Sequence, residues 1–180
     1  MSEPLGSEKE SRDPLGMACE LIGKYQYHFS QIERALNDGI SKVLDLNDGA
    51  ADIVTANLDF VKKLNIVRSV IKLQFDDRDG SAEELLRKIL GINEPDRQTV
   101  IHSTFEPAED GVRFRRIVAK AALKRAEVTW DKKQFEQRFL AMQAAVSDLR
   151  LLVERLQPYQ PNLDFSDPRN SGYIALLSDI

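Results

Sequence analysis

Apolar residues recur every three or four positions over three long stretches of the chain, which is the period of an α-helix with one buried side. The first stretch runs from Met17 to Val43, the second from about Ala50 to Leu73, and the third from Phe135 to Leu156. Helices of this length span about 40 Å each at 1.5 Å per residue, which favours an up-down bundle over a globin-like cluster. We therefore predict an all-α fold, an up-down helical bundle of four to five helices.

Two shorter helices are predicted between the second and third long stretches. Ser81 and Glu84 have the spacing of a capping box and open a helix that ends at Gly91. Proline suits the first turn of a helix, so the next helix is predicted to begin around Pro95 and to continue to Phe105.

A small β insert is predicted before the last long helix. Residues 106–111 have the composition of a turn. Residues 112–119 and 123–130 contain enough β-branched residues, or enough alternation of apolar and polar residues, to predict two short strands. A hairpin or a three-stranded flap is expected. Asp131 and Gln134 form a second capping box at the start of the last helix.

These patterns predict one domain with a tail at each end. Residues 1–14 are polar, lack apolar periodicity and are predicted to be a disordered leader. The helical domain is predicted over residues 15–157, with its β insert at about 103–130. Residues 158–180 follow a proline-rich break and are predicted to be an extended tail.

Composition excludes several classes of protein. The formal charge is −4, so overall positive charge does not drive nucleic-acid binding, and any basic face must be local. A single cysteine, Cys19, excludes an internal disulfide and a paired-cysteine zinc site, and two histidines make a His-rich metal centre improbable. No run of about 18 apolar residues occurs. We predict a cytoplasmic protein with no metal, no cofactor and no membrane partner.

One short segment has residue types suited to chemistry on phosphate. Arg97 and His102 lie five positions apart at the start of a predicted helix. A guanidinium neutralises phosphate oxygens with a planar fork, and an imidazole moves protons near neutral pH. On an ideal helix the two side chains point about 140° apart. A frayed first turn or a second subunit is needed to bring such groups together.

This spacing, late in an all-helical bundle and before a polar insert and a final long helix, resembles the HEPN superfamily, whose signature is Arg-x4-6-His. The match is Arg97 and His102, within residues 17 to 157. Many members have Asn, Asp or His after the arginine, whereas this chain has Gln98.

The resemblance implies a metal-independent endoribonuclease whose homodimer brings two motifs into one cleft. His102 would then act as general base or acid for attack of a ribose 2′-hydroxyl on the adjacent phosphate, and Arg97 would stabilise the charge that grows on phosphorus. It also implies RNA as substrate and a role in toxin–antitoxin or antiviral defence, with an antitoxin or another protein as partner. Other members have lost catalysis and only bind RNA or nucleotides.

Three residues are supporting candidates beside this pair. Glu33 borders the first apolar stripe, where an acid would orient His102 or pair with Arg97, although an exposed flank with Arg34 nearby explains it more simply. Asn57 occupies an apolar-stripe position, where a buried amide must find a partner. An internal cap or a hydrogen bond between helices is expected in preference to a contact near Arg97. Gln98 follows the motif arginine directly.

A basic run in the predicted hairpin is a candidate RNA-binding surface, because lysine and arginine neutralise phosphates. The same run is also explained by a solvent-exposed hairpin edge, where charged side chains prevent unwanted pairing with other strands. The run contains Arg113, Arg115, Arg116, Lys120, Lys124 and Arg125, with no acid among them.

Two other hypotheses compete with the nuclease. One is a catalytically inert module of similar fold that binds RNA, nucleotide or protein through the same cleft or the basic run. The other is a structural protein whose wide apolar helices form an obligate dimer or pair with another chain. If the Arg-x4-His spacing arises by chance, His102 is a capping residue or forms a hydrogen bond within the core. His28, which follows two tyrosines in the first helix, is expected to pack in the core.

Overall fold

The computed structural model describes residues 13–74, 80–120 and 122–158, and for residues 118–120 and 122–124 it describes the backbone alone. The predicted leader up to residue 12 and the predicted tail from residue 159 lie outside the described residues. The described part is mostly helical, with one small antiparallel sheet.

Six helices and three strands follow one another in the described part of the chain. The helices are α1 Pro14–Val43, α2 Asp48–Ala56, α3 Phe60–Gln74, α4 Ser81–Gly91, α5 Gln98–His102 and α6 Lys132–Arg155, and the strands are β1 Thr104–Ala108, β2 Gly111–Lys120 and β3 Ala122–Asp131. A kinked segment, Ile92–Arg97, joins α4 to α5 and contains a cis Glu94–Pro95 peptide bond.

Helix α1 is the central element, and its buried stripe follows the predicted period. Tyr25, Phe29, Ile32 and Leu36 are buried along it, and α1 packs most extensively against α6 and next against α3. The helix begins at Pro14 rather than Met17, because the Asp13 carboxylate accepts hydrogen bonds from the backbone N–H groups of residues 15 and 16. Asp13 and Pro14, which the prediction assigned to the leader, therefore belong to the start of α1.

The prediction of one continuous second helix is wrong. The chain leaves helical geometry after Ala56 and starts a new helix at Phe60. Asp59 caps this new helix, because its Oδ1 accepts a hydrogen bond from the Lys62 N–H (2.8 Å). The same hydrogen bond holds the pKa of Asp59 below its ordinary value.

The sheet forms the predicted insert before the last helix. Strand β2 is central and pairs antiparallel with both neighbours. Val112 and Phe114 face the core on β2 and Trp130 faces it on β3. The Phe114 and Trp130 rings pack with each other and with Phe135 of α6. The predicted turn over residues 106–111 is shorter than expected, since residues 106–108 belong to β1.

Of the two predicted capping boxes, the one at α6 is confirmed and the one at α4 is wrong. At α6 the Asp131 carboxylate accepts from the Gln134 N–H and the Gln134 side chain accepts from the Asp131 N–H, so that capping box is confirmed. At α4 the N-cap is Gly80, in a left-handed conformation (φ 68°), and Ser81 is already inside the helix. Among the described residues, no helix is both long enough and apolar enough to cross a membrane.

Candidate phosphate-binding site

His102 lies exposed at the junction between the helical body and the sheet. It is the last residue of α5, and the next residue, Ser103, is already extended (φ −111°, ψ 152°). The predicted helix to Phe105 is therefore too long, because residues 104–108 pair with β2 instead. The early end of the helix leaves the imidazole at the surface beside the hairpin.

A pocket of about 630 Å³ opens next to this imidazole. Among the described side chains, His102 and Thr104 line it from the junction, and the hairpin contributes Arg115, Arg116, Ile117, Arg125, Ala126 and Glu127. Strand register brings these residues together, because Arg115 pairs with Glu127 and Ile117 pairs with Arg125. The pocket thus joins one histidine to three arginines.

Only part of this positive charge is neutralised within the protein. Arg115 forms ion pairs with Glu106 (2.7 Å) and Glu127 (3.0 Å). Within the described part of the chain, no ion pair involves Arg116 or Arg125. Two guanidiniums beside His102 are therefore available to an anion such as phosphate.

Arg113 is not among the described residues that line this pocket. Arg113 forms an ion pair with Glu127 (3.4 Å). Glu127 and the Glu106 partner of Arg115 lie outside the basic run, and together they neutralise part of its charge. Lys120 and Lys124 lie at the hairpin end, where the structure describes only the backbone.

Arg97 occupies different surroundings from His102. Its guanidinium carbon lies 4.8 Å from the centre of the Phe29 ring on α1, a cation–π geometry. Its Nε atom is buried and, within the described residues, has no hydrogen-bond partner. Arg97 is not among the pocket-lining residues. A single subunit therefore does not bring the two motif residues into one pocket.

A half-buried ion pair anchors the kinked segment next to Arg97. The Arg138 guanidinium donates to both carboxylate oxygens of Asp96 (2.9 and 3.4 Å) and stacks 3.9 Å from the centre of the Trp130 ring. Burial raises the pKa of the Tyr25 hydroxyl well above its ordinary value, and the Asp96 carboxylate raises it further. The motif segment is thus tied to α6 and faces a buried phenol on α1.

No described hydrogen bond or ion pair joins the side chain of a supporting candidate to Arg97 or His102. Glu33 is half-buried on α1, and no described contact joins it to Arg97 or His102. Asn57 is the C-cap residue of α2 and donates to the Ile53 carbonyl (2.7 Å), so it caps its own helix but is exposed rather than buried as predicted. Gln98 is half-buried as the first residue of α5.

Several residues of the site were absent from the sequence-based prediction. Asp96 and Arg138 are 42 positions apart, and Glu106 meets Arg115 only through the β1–β2 register. No local pattern identifies such pairs. Thr104 and Ile117, which border the predicted residues, also line the pocket.

The chain matches no protein-family model, and it shows no significant similarity to any curated protein or solved structure. The HEPN resemblance therefore depends on the Arg97–His102 spacing and the order of elements alone. In the described ranges, no group of three or more His, Cys, Asp or Glu side chains is placed to hold a metal ion.

His28 belongs to another surface, between α1 and α6. Its ring lies 5.3 Å from that of Phe139, and it borders a second pocket of about 450 Å³. That pocket's one arginine, Arg150, donates to Gln31 (3.2 Å). It therefore suits an anion less well than the pocket at His102.

The histidine on α1 predicts a pH dependence of stability. Burial, with a smaller contribution from Lys24, lowers the pKa of His28 below its ordinary value of 6.5. The unfolded chain therefore takes up the proton first, and the free energy of unfolding is expected to fall as the pH drops through and below 6.5. His28→Gln should lack this component, which urea unfolding of both proteins at about pH 7.5 and about pH 5 measures. Equal pH dependence in the two proteins would contradict the assignment.

Proposed function

We propose that the chain is a metal-independent endoribonuclease of HEPN type that acts as a homodimer in the cytoplasm, in toxin–antitoxin or antiviral defence. The observation that supports this proposal most directly is the exposed His102 imidazole in a pocket with two arginines free of ion pairs. An up-down arrangement of the long helices is part of the proposal. So is an antitoxin or other protein partner.

The pocket contains the groups that RNA cleavage without a metal requires. The ribose 2′-oxygen attacks the adjacent phosphorus, and its proton passes to His102 acting as general base. The P–O5′ bond breaks, and the leaving 5′-oxygen takes a proton from the solvent. Guanidiniums stabilise the negative charge that accumulates on the phosphoryl oxygens. The products are a 2′,3′-cyclic phosphate and a 5′-hydroxyl.

Cleavage of a mixed RNA pool in EDTA tests the proposal. The wild-type protein is expected to cut the pool without added metal and to leave 2′,3′-cyclic phosphate ends, which mass spectrometry of the fragments identifies. Cutting that stops in EDTA, or that leaves 5′-phosphate ends, would contradict the proposed chemistry.

The position of Arg97 favours a second candidate, an inert module of the same fold that binds RNA or nucleotide, or a protein. An arginine stacked on Phe29 with its Nε enclosed can stabilise the fold without touching a substrate. The same pocket would then bind phosphate without breaking it.

Salt dependence measures the phosphate contacts that both candidates require. For single-stranded RNA, the slope of log K against log salt is about −0.7 for each phosphate neutralised. Replacing Arg116 and Arg125 together by alanine is expected to reduce the slope by about 1.4 and to weaken binding at low salt. Fluorescence anisotropy over a range of salt concentrations measures both quantities. An unchanged slope would show that RNA does not bind at this pocket.

A further inference from the structure

Arg116 differs in position from the other two arginines that line the pocket, because it is half-buried whereas Arg115 and Arg125 are exposed. Side chains alternate along β2, so Arg116 lies on the same face as the buried Val112 and Phe114. Arg115, on the opposite face, already pairs with two glutamates. Arg125 is exposed and pairs in register with Ile117 on that opposite face.

We infer that Arg116 is the catalytic arginine of the site, binding the phosphoryl oxygens beside His102, and that Arg97 is a positioning residue. The inference rests on the proposed nuclease function and revises the roles that the sequence motif alone implies. Both His102 and Arg116 line the pocket, whereas Arg97 does not.

The half-buried position of Arg116 suits it to this role better than an exposed arginine. A charge held partly out of water by the sheet and the adjoining α5 acts through a lower effective dielectric. No ion pair with a carboxylate occupies its guanidinium within the described residues, so it is available to the negative charge that develops on phosphorus. Its fork contacts two phosphoryl oxygens at once, which an ammonium does not do.

Arg97 acts on His102 through the backbone. It closes the kinked segment, and α5, with His102 at its end, begins at the next residue. Its cation–π contact with Phe29 fixes this segment against α1, while Asp96 fixes it against Arg138 of α6. A lysine at position 97 keeps a positive charge over the Phe29 ring and should preserve most of the positioning.

Steady-state cleavage in EDTA by five variants tests the two roles. They are Arg116→Ala, Arg116→Lys, Arg97→Ala, Arg97→Lys and the control Arg87→Ala, which removes an exposed arginine of α4 outside the pocket lining. We expect Arg116→Ala to lower kcat about 100-fold or more. Arg116→Lys should recover little of that loss, since lysine lacks the fork.

At position 97 the conservative variant should behave differently. Arg97→Ala should lower kcat with KM nearly unchanged, and Arg97→Lys should restore kcat to within about tenfold of the wild type. The control should match the wild type. Circular dichroism and oligomeric state are compared for all variants. If Arg97→Ala does not fold, the activity of Arg97→Lys tests the positioning role of Arg97.

Two results would overturn the inference. One is full activity in Arg116→Ala, and the other is an Arg97→Lys protein that is folded but inactive. If the wild-type protein does not cleave RNA, the proposed function fails separately, and binding of a 2′-O-methyl RNA then decides the role of Arg116. At least tenfold weaker binding by Arg116→Ala than by Arg87→Ala would support phosphate contact by Arg116, and equal binding would overturn it.

Discussion

Replacing His102 by alanine is expected to reduce the metal-free cleavage of RNA by about 10² to 10⁴-fold, the usual contribution of a positioned general base. The side chain is exposed at the end of α5, so its removal leaves no cavity in the core and should change stability little. Loss of activity with retained stability would therefore identify a chemical role. Initial cleavage rates in EDTA, measured beside urea unfolding of the same preparations, give both quantities.

A matched control for this substitution is His28→Ala, since His28 is the chain's other histidine and borders a different pocket. This variant should retain wild-type cleavage, even though the loss of its contact with Phe139 lowers stability. RNA binding by His102→Ala should weaken far less than cleavage, because the arginines of the pocket remain. Equal cleavage by wild type and His102→Ala would leave the inert binding module as the better explanation.

The sequence predicted the elements that depend on local spacing. Helices α1 and α6 follow from their apolar period, and the α6 cap follows from Asp131 and Gln134. The break between α2 and α3 was missed because residues 57–59 include neither glycine nor proline and apolar residues continue on both sides. Although the apolar period continues through these residues, the Asp59 side chain caps a new helix that begins at Phe60.

The candidate site was predicted only in part, for a similar reason. His102 and the basic run are visible as residue types, and β2 and β3 place Arg116 and Arg125 beside the histidine. Ion pairs across strands decide which arginines remain available, and such pairs follow from register rather than from spacing. The position of Arg97 over Phe29 likewise depends on how α1 packs, which an Arg-x4-His pattern does not encode.

Replacing Gly111 by alanine adds a single methyl group, and we expect this small change to destabilise the fold strongly. The sequence assigns this glycine to a turn, but it is buried as the first residue of β2 and pairs with residues of both neighbouring strands. A Cβ atom here would overlap the Trp130 carbonyl oxygen and lie 2.8 Å from the Asp131 Cα. Both contacts are with backbone, so no side-chain rotation relieves them, and β2 and β3 must move apart.

That movement would disturb two features of the core at once. Trp130 packs against Phe114 and Phe135, and Asp131 caps α6, so a shift of this backbone loosens the aromatic cluster and the helix start together. Overpacking of a tight site costs about 1 to 3 kcal/mol, and we expect Gly111→Ala to lower the free energy of unfolding by about 3 kcal/mol.

Gly23→Ala provides the matched control, since it makes the same chemical change on the exposed side of α1, where a Cβ meets nothing within 4 Å. Alanine is the better helix former, so Gly23→Ala should raise the free energy of unfolding by about 1 kcal/mol. Urea unfolding followed by circular dichroism should therefore give opposite signs for the two variants. A Gly111→Ala protein as stable as the wild type would contradict the close approach of β2 to the Trp130–Asp131 backbone, because only a displaced strand leaves room for the methyl group.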